Sequence, residues 1–194
     1  FQQETPYHQA SATNRMQGIS KIPLFVGQDA EWGLGQMIDS TISFPRSLVL
    51  GAIKNDSTIY RMGKETARQM KMVGLNLNFG PIADVNNNPQ DPLISYRSFG
   101  ENNINVAAKA TAFMRGLQDH GVLSCAKHFS VKGLTVTDYQ KDFPIVKASI
   151  DSIQAFPFQK LFENKVAGVM PASSSFPLFY ENLKLTKKNA FDAA

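Results

Sequence analysis

Lys127 and His128 are the residues best placed to do chemistry, because they end a short apolar run, Val122-Leu123-Ser124-Cys125-Ala126. A buried cation beside an imidazole costs desolvation, so the pair reads as one with a purpose. Asp29 and Glu31 follow a second apolar run, and their two-residue spacing sends both carboxylates to one side of a strand end. Asp29 suits hydrogen bonds from ligand hydroxyls such as those of a sugar; the alternative is a solvated loop acid. Arg97, in Tyr96-Arg97-Ser98-Phe99-Gly100, suits a carboxylate or hydroxyl. A structural salt bridge is the simpler reading of Arg97 from sequence alone. The histidines at 8, 120 and 128 lie too far apart in sequence to suggest a metal site, and no cofactor is expected.

These side chains need elements to position them. Ile22-Pro23-Leu24-Phe25-Val26-Gly27 reads as a buried parallel strand, apolar on both faces, with Pro23 near its start. Asn55-Asp56-Ser57 is a helix start, and Ile59, Met62, Thr66 and Met70 recur at helical spacing towards Gly74. Leu75 to Val85 then reads as a strand running into a loop. Val106, Ala110, Phe113 and Leu117 form one face of a helix from Asn103 to His120, which Gly121 stops. A strand from Val122 to Ala126 leads to Lys127-His128-Phe129. Asp151 is expected to cap a last helix carrying Ile153, Phe156 and Leu161, with a kink or break at Pro157. Val166 to Met170 is one more short strand. Residues 1–20 read as a polar loop with a short helix at most.

Strands and helices therefore alternate, as in βαβ units with a parallel sheet. The polar residues fall just after strands, where a (β/α)8 barrel and an open doubly wound sheet both place their sites. The barrel is the preferred class: α/β, part of a TIM-type barrel.

The totals narrow the function. An apolar fraction of 43% against 19% charged residues describes a globular chain rather than a disordered one. The net charge of +4 is scattered, with no basic stripe, so no nucleic-acid partner is expected. No apolar run approaches the roughly 18 residues of a membrane span. Cys125 is the single cysteine, so no internal disulfide can form, and it reads as a small buried residue. The chain opens at Phe1 with neither Met nor signal peptide, which suggests processing or a fragment. Gly33-Leu34-Gly35 lacks the third glycine of a dinucleotide fingerprint, and Walker A, HExxH and G-x-S-x-G patterns are absent.

Several segments in order resemble glycoside hydrolase family 3, in its β-N-acetylglucosaminidase branch. Ile22 to Trp32 looks like the strand ending in an Asp-x-Glu loop, and Asn78-Phe79-Gly80-Pro81-Ile82-Ala83-Asp84-Val85 like the family's next strand. Arg97-Ser98-Phe99-Gly100 matches the R-S-F-G loop, and Lys127-His128-Phe129 opens like the K-H-F motif. Val169-Met170 to Pro177 looks like the following strand and loop. The resemblance implies one partial barrel domain over residues 1–194, equivalent to strands three to six. It implies that Asp29, Arg97, Lys127 and His128 contact an N-acetylglucosamine-type sugar, with Asp84 supporting them and Glu31 and Trp32 as wall residues. A bacterial periplasmic or envelope location comes with it.

The resemblance also implies departures. A retaining glycosidase needs a nucleophile about 5 Å from its acid/base, and the family's nucleophile segment is absent from this sequence. The acid/base dyad of this branch is an Asp with a His two residues later. Asp138 occupies the first position and Gln140 the second, and an amide cannot protonate a leaving group. Ser130, Val131, Lys132 and Ser173 differ from the family pattern, and a basic residue expected near Met37 is missing. Asp138 is thus the remnant of a catalytic pair, and two readings follow: a glycosidase-type domain acting on N-acetylglucosamine-containing glycans such as peptidoglycan fragments, or a non-catalytic sugar-binding or structural relative. A protein partner covering the open barrel edges is expected with either reading.

Overall fold

The computed structural model describes residues 5–129 and 152–171. Helix α1 spans Pro6–Ile19, strand β1 Gly27–Gln28, helix α2 Ser47–Gly51, α3 Asp56–Met72 and β2 Leu77–Asn78. Then come α4 (Asn103–Gln118), β3 (Leu123–Phe129), α5 (Ser152–Glu163) and β4 (Gly168–Pro171). The four strands form one sheet in the order β1-β2-β3-β4, and every pairing is parallel. This order never reverses. A doubly wound sheet has a switch point where it does, so the arrangement is that of a barrel segment.

The two central helices form where their caps and periodicity place them. Asn55 accepts the Ser57 amide at 3.0 Å to start α3, and Asn102 accepts the Asn105 amide at 2.9 Å to start α4. Each ends at a glycine in the left-handed region, Gly74 at φ 80° and Gly121 at φ 79°. The chain then turns back, with Leu75 donating to the Met70 carbonyl and Val122 to that of Leu117. Ile59, Met70, Val106, Ala110, Phe113 and Leu117 are all buried between these helices and the sheet. The helices approach closely because Gly63 and Gly116 meet at the crossing. A Cβ on Gly63 would lie 2.4 Å from the Phe113 carbonyl oxygen, and one on Gly116 2.2 Å from that of Tyr60.

Four local expectations change. Residues 6–19 form a full helix rather than a loop: Thr5 accepts the His8 amide and Pro6 opens the first turn. Its polar faces hide it from a periodicity search, since only Thr13 is buried. The run from Ile22 is not a buried strand. Ile22 and Phe25 are 77% and 76% exposed, and ladder pairing begins only at Gly27. Upstream, the chain is held by the Asn76 side chain, which accepts the Val26 amide at 2.8 Å and donates to the Leu24 carbonyl at 3.0 Å. Helix α5 runs unbroken through Pro157. The missing amide falls in its second turn, and Pro157, Phe158 and Leu161 are buried on a helix packed against α4. Cys125 is half-buried rather than fully enclosed. The Asp151 cap lies outside the described residues. No helix among the described residues is long and apolar enough to cross a membrane.

Candidate active-site cluster

The C-terminal ends of β1, β2 and β3 converge on one polar cluster. The loop after β1 is clamped by Asn78, the last residue of β2, which is fully buried. Its amide accepts the Ala30 N–H at 3.2 Å and donates to the Ala30 carbonyl at 3.1 Å. The clamp fixes Ala30, and so aims its neighbours Asp29 and Glu31 at β3. The Glu31 amide is further tied to the Gln36 side chain at 2.7 Å.

Lys127 arrives on β3, next to a stretch that continues β2: the Lys127 amide donates to the Pro81 carbonyl at 3.0 Å, and the Ala83 amide to the Lys127 carbonyl at 2.8 Å. The peptide bonds Gly80-Pro81 and Lys127-His128 are cis. The Lys127 ammonium contacts Asp29 and lies 2.8 Å from Glu31. The two acids thus act on one side, as their spacing predicts.

Arg97 comes from a short turn, Ser95–Arg97, that Asp91 builds by accepting the Leu93 and Ile94 amides at 2.8 and 3.1 Å. Its guanidinium takes Glu31 two-handed, Nε to Oε2 at 3.0 Å and Nη2 to Oε1 at 2.6 Å. Nη1 donates to the Leu93 carbonyl at 2.9 Å. The salt-bridge reading of Arg97 is therefore present in the structure, in the bidentate form that Arg favours. Glu31, expected as a wall residue, is instead the hub of the cluster, with its side chain only 1% exposed. Burial opposes its ionisation, but Arg97 and Lys127 outweigh that and hold its carboxyl below the ordinary value. Burial likewise disfavours the charged Arg97, and Glu31 more than restores it.

His128 and Asp84 form the second half of the cluster. One Asp84 oxygen accepts the His128 amide at 3.0 Å and faces its Nδ1 at 2.9 Å. A carboxylate only accepts, so Nδ1 carries the hydrogen and Nε2 is turned away from Asp84. The Asp84 backbone carbonyl in turn accepts the Ser98 hydroxyl at 2.7 Å, which ties this strand end to the Arg97 turn. Asp84 thus holds His128 through two contacts of one carboxylate oxygen.

Asp29, Arg97, Lys127 and His128 therefore meet at one strand-end mouth. Asp29 is its open member, with a side chain 41% exposed, against 4% for Lys127. Sequence reasoning missed Asn78 and Gln36 as anchors; a polar residue ending an otherwise apolar strand was the available signal. Asp138, Gln140 and Ser173 lie outside the described residues. Among the described residues no group of three or more His, Cys, Asp or Glu side chains is placed to hold a metal ion.

The family model for the glycosyl hydrolase family 3 N-terminal domain matches residues 2–185. The chain belongs to glycoside hydrolase family 3. Its relatives include β-hexosaminidase A of Pseudoalteromonas piscicida, 31% identical over 86% of this chain and 30% of the relative. The β-hexosaminidase of Thiobacillus denitrificans is 27% identical over 89% of this chain and 50% of that protein. The native structure of NagZ from Neisseria gonorrhoeae superposes with a TM-score of 0.79 at 27% identity, covering 90% of this chain and 54% of NagZ. These relatives support the β-N-acetylglucosaminidase branch, and the parallel sheet with its helices is part of a TIM-type barrel. This family 3 chain spans half or less of the length of the curated relatives just named.

Proposed function

We propose that this family 3 domain binds an N-acetylglucosamine-type sugar at the strand-end mouth, through Asp29, Arg97, Lys127 and His128. The observation that carries the reading is the convergence of these four side chains on one mouth, each anchored by a second residue. Hydroxyl recognition needs fixed donors and acceptors. Asp29 supplies an open acceptor, the N–H bonds of Lys127 and Arg97 that Asp29, Glu31 and Leu93 leave over supply donors, and His128 offers Nε2. In this reading β1 to β4 stand as strands three to six of the barrel, in one domain spanning residues 1–194.

Gln140 favours binding without hydrolysis, because it cannot serve as the acid of a dyad with Asp138. We therefore read the chain as the sugar-binding part of a hydrolase-type barrel in a bacterial envelope or periplasmic setting, with the outer edges of β1 and β4 covered by further protein. The test is a titration with N-acetylglucosamine followed by side-chain NMR of Arg97 and Lys127. Shifts saturating at millimolar sugar, and abolished in Asp29→Ala, are expected. No shift in either signal refutes the pocket. Hydrolysis of an aryl N-acetylglucosaminide by this chain would refute the non-hydrolytic part alone.

A further inference from the structure

Beside the polar cluster stands a cation with no anionic partner among the described residues. Trp32 follows Glu31 in sequence and Tyr96 precedes Arg97, so the two rings flank the Glu31–Arg97 pair, and one cation, Arg46, reaches both. The Arg46 guanidinium carbon lies 3.5 Å from the centroid of Trp32 and 5.3 Å from that of Tyr96. Backbone bonds hold this arrangement: Phe44 donates to the Trp32 carbonyl at 2.7 Å, and Gly35 to that of Ile42 at 3.0 Å. The Arg46 carbonyl accepts the Val49 and Leu50 amides at 3.0 and 3.1 Å, which locks the residue at the start of α2.

Stacking satisfies the flat face of a guanidinium and leaves its in-plane N–H groups for other partners. Among the described residues Arg46 makes no side-chain hydrogen bond or ion pair, whereas Arg97 uses all of its nitrogens on Glu31 and Leu93. The acids of the mouth already have partners, Asp29 and Glu31 in Lys127 and Arg97, and Asp84 in His128. Within the described residues, Arg46 is therefore a cation with no ion-pair partner, held on a pre-set aromatic shelf.

We propose that Arg46, held by Trp32 and Tyr96, is a specificity-determining residue that reads a carboxylate on the group attached to the bound sugar. The proposal rests on the sugar-binding reading above and extends it to a substrate class: N-acetylglucosaminides whose aglycone is a monoanion. A planar carboxylate matches the two parallel N–H groups that the stacked guanidinium leaves open.

The test uses two thioglycosides of N-acetylglucosamine, resistant to cleavage, with 4-carboxyphenyl and 4-carbamoylphenyl aglycones of nearly equal shape. Calorimetry at low salt should show the acid bound about tenfold tighter than the amide, the margin of a charge-assisted over a neutral hydrogen bond. The ratio should fall towards one in Arg46→Gln, and should shrink with added salt. Arg46→Lys, which keeps the charge but loses the fork, should give a ratio between the two. Equal ratios in the wild type and Arg46→Gln overturn the assignment of Arg46 while leaving the sugar pocket standing. Failure of both glycosides to bind overturns the pocket and this proposal together.

Discussion

Replacing Glu31 by glutamine tests the hub of the cluster without changing its shape. The carboxylate is nearly inaccessible, and it pairs with Arg97 through two hydrogen bonds and with Lys127 at 2.8 Å. The substitution would leave both cations facing an amide in a desolvated site. Removing one partner of a buried ion pair costs about 3–5 kcal/mol. Asp29 still compensates Lys127, so the lower end, about 3 kcal/mol, is expected. Equilibrium urea unfolding at neutral pH reads this as a shift in midpoint at constant slope. The pH dependence supplies a second readout. Glu31 titrates below its ordinary value of 4.5 in the folded protein, so its contribution is fully present above that value and is lost as pH falls through the folded one. The difference between wild type and Glu31→Gln should therefore be constant near neutrality and shrink on acidification below the ordinary carboxylate range. A loss under about 1 kcal/mol, the scale of an exposed pair, refutes the reasoning. So does a difference that does not respond to acid.

Gly63→Ala should destabilise by about 1–3 kcal/mol, the cost of overpacking, because its Cβ would meet the Phe113 carbonyl across the helix crossing. Gly18→Ala, in α1 with open space around it, is the matched control and should be neutral or slightly stabilising in the same thermal melts. Glu65 accepts two hydrogen bonds from Arg68 at 2.7 and 2.8 Å and one from Gln69 at 2.8 Å, which pull its carboxyl down to about 2. Carbon-detected NMR titration should find that midpoint. Its small stabilising contribution is present above 4.5 and fades as pH drops towards 2.

Short-range physics encodes several units within single segments. Helices α3 and α4 follow from an Asn cap, a repeat of buried residues and a terminal glycine, all readable within one segment. The motifs Asp29-x-Glu31, Arg97-Ser98-Phe99-Gly100 and Lys127-His128-Phe129 were likewise local. Where the local signal was weak, reading failed: α1 has no apolar stripe, and the apolar run from Ile22 lies mostly outside the ladder that its composition suits.

Strand order and charge pairing arise only once the sheet is assembled. Arg97 and Glu31 are 66 residues apart in sequence, and Lys127 and Asp29 are 98 apart. Nothing local states that Arg97 is spoken for by Glu31, or that Glu31 lies beneath the mouth rather than on its wall. The parallel register puts Gln28 opposite Asn78, and Asn78 opposite Ser124. That register brings the three strand ends level, and the Asn78 clamp then turns the acids inward. Arg46 is left stacked on its two rings at the rim. Propensity and periodicity fix elements over a few residues, whereas charge pairing depends on which strand ends the sheet sets side by side.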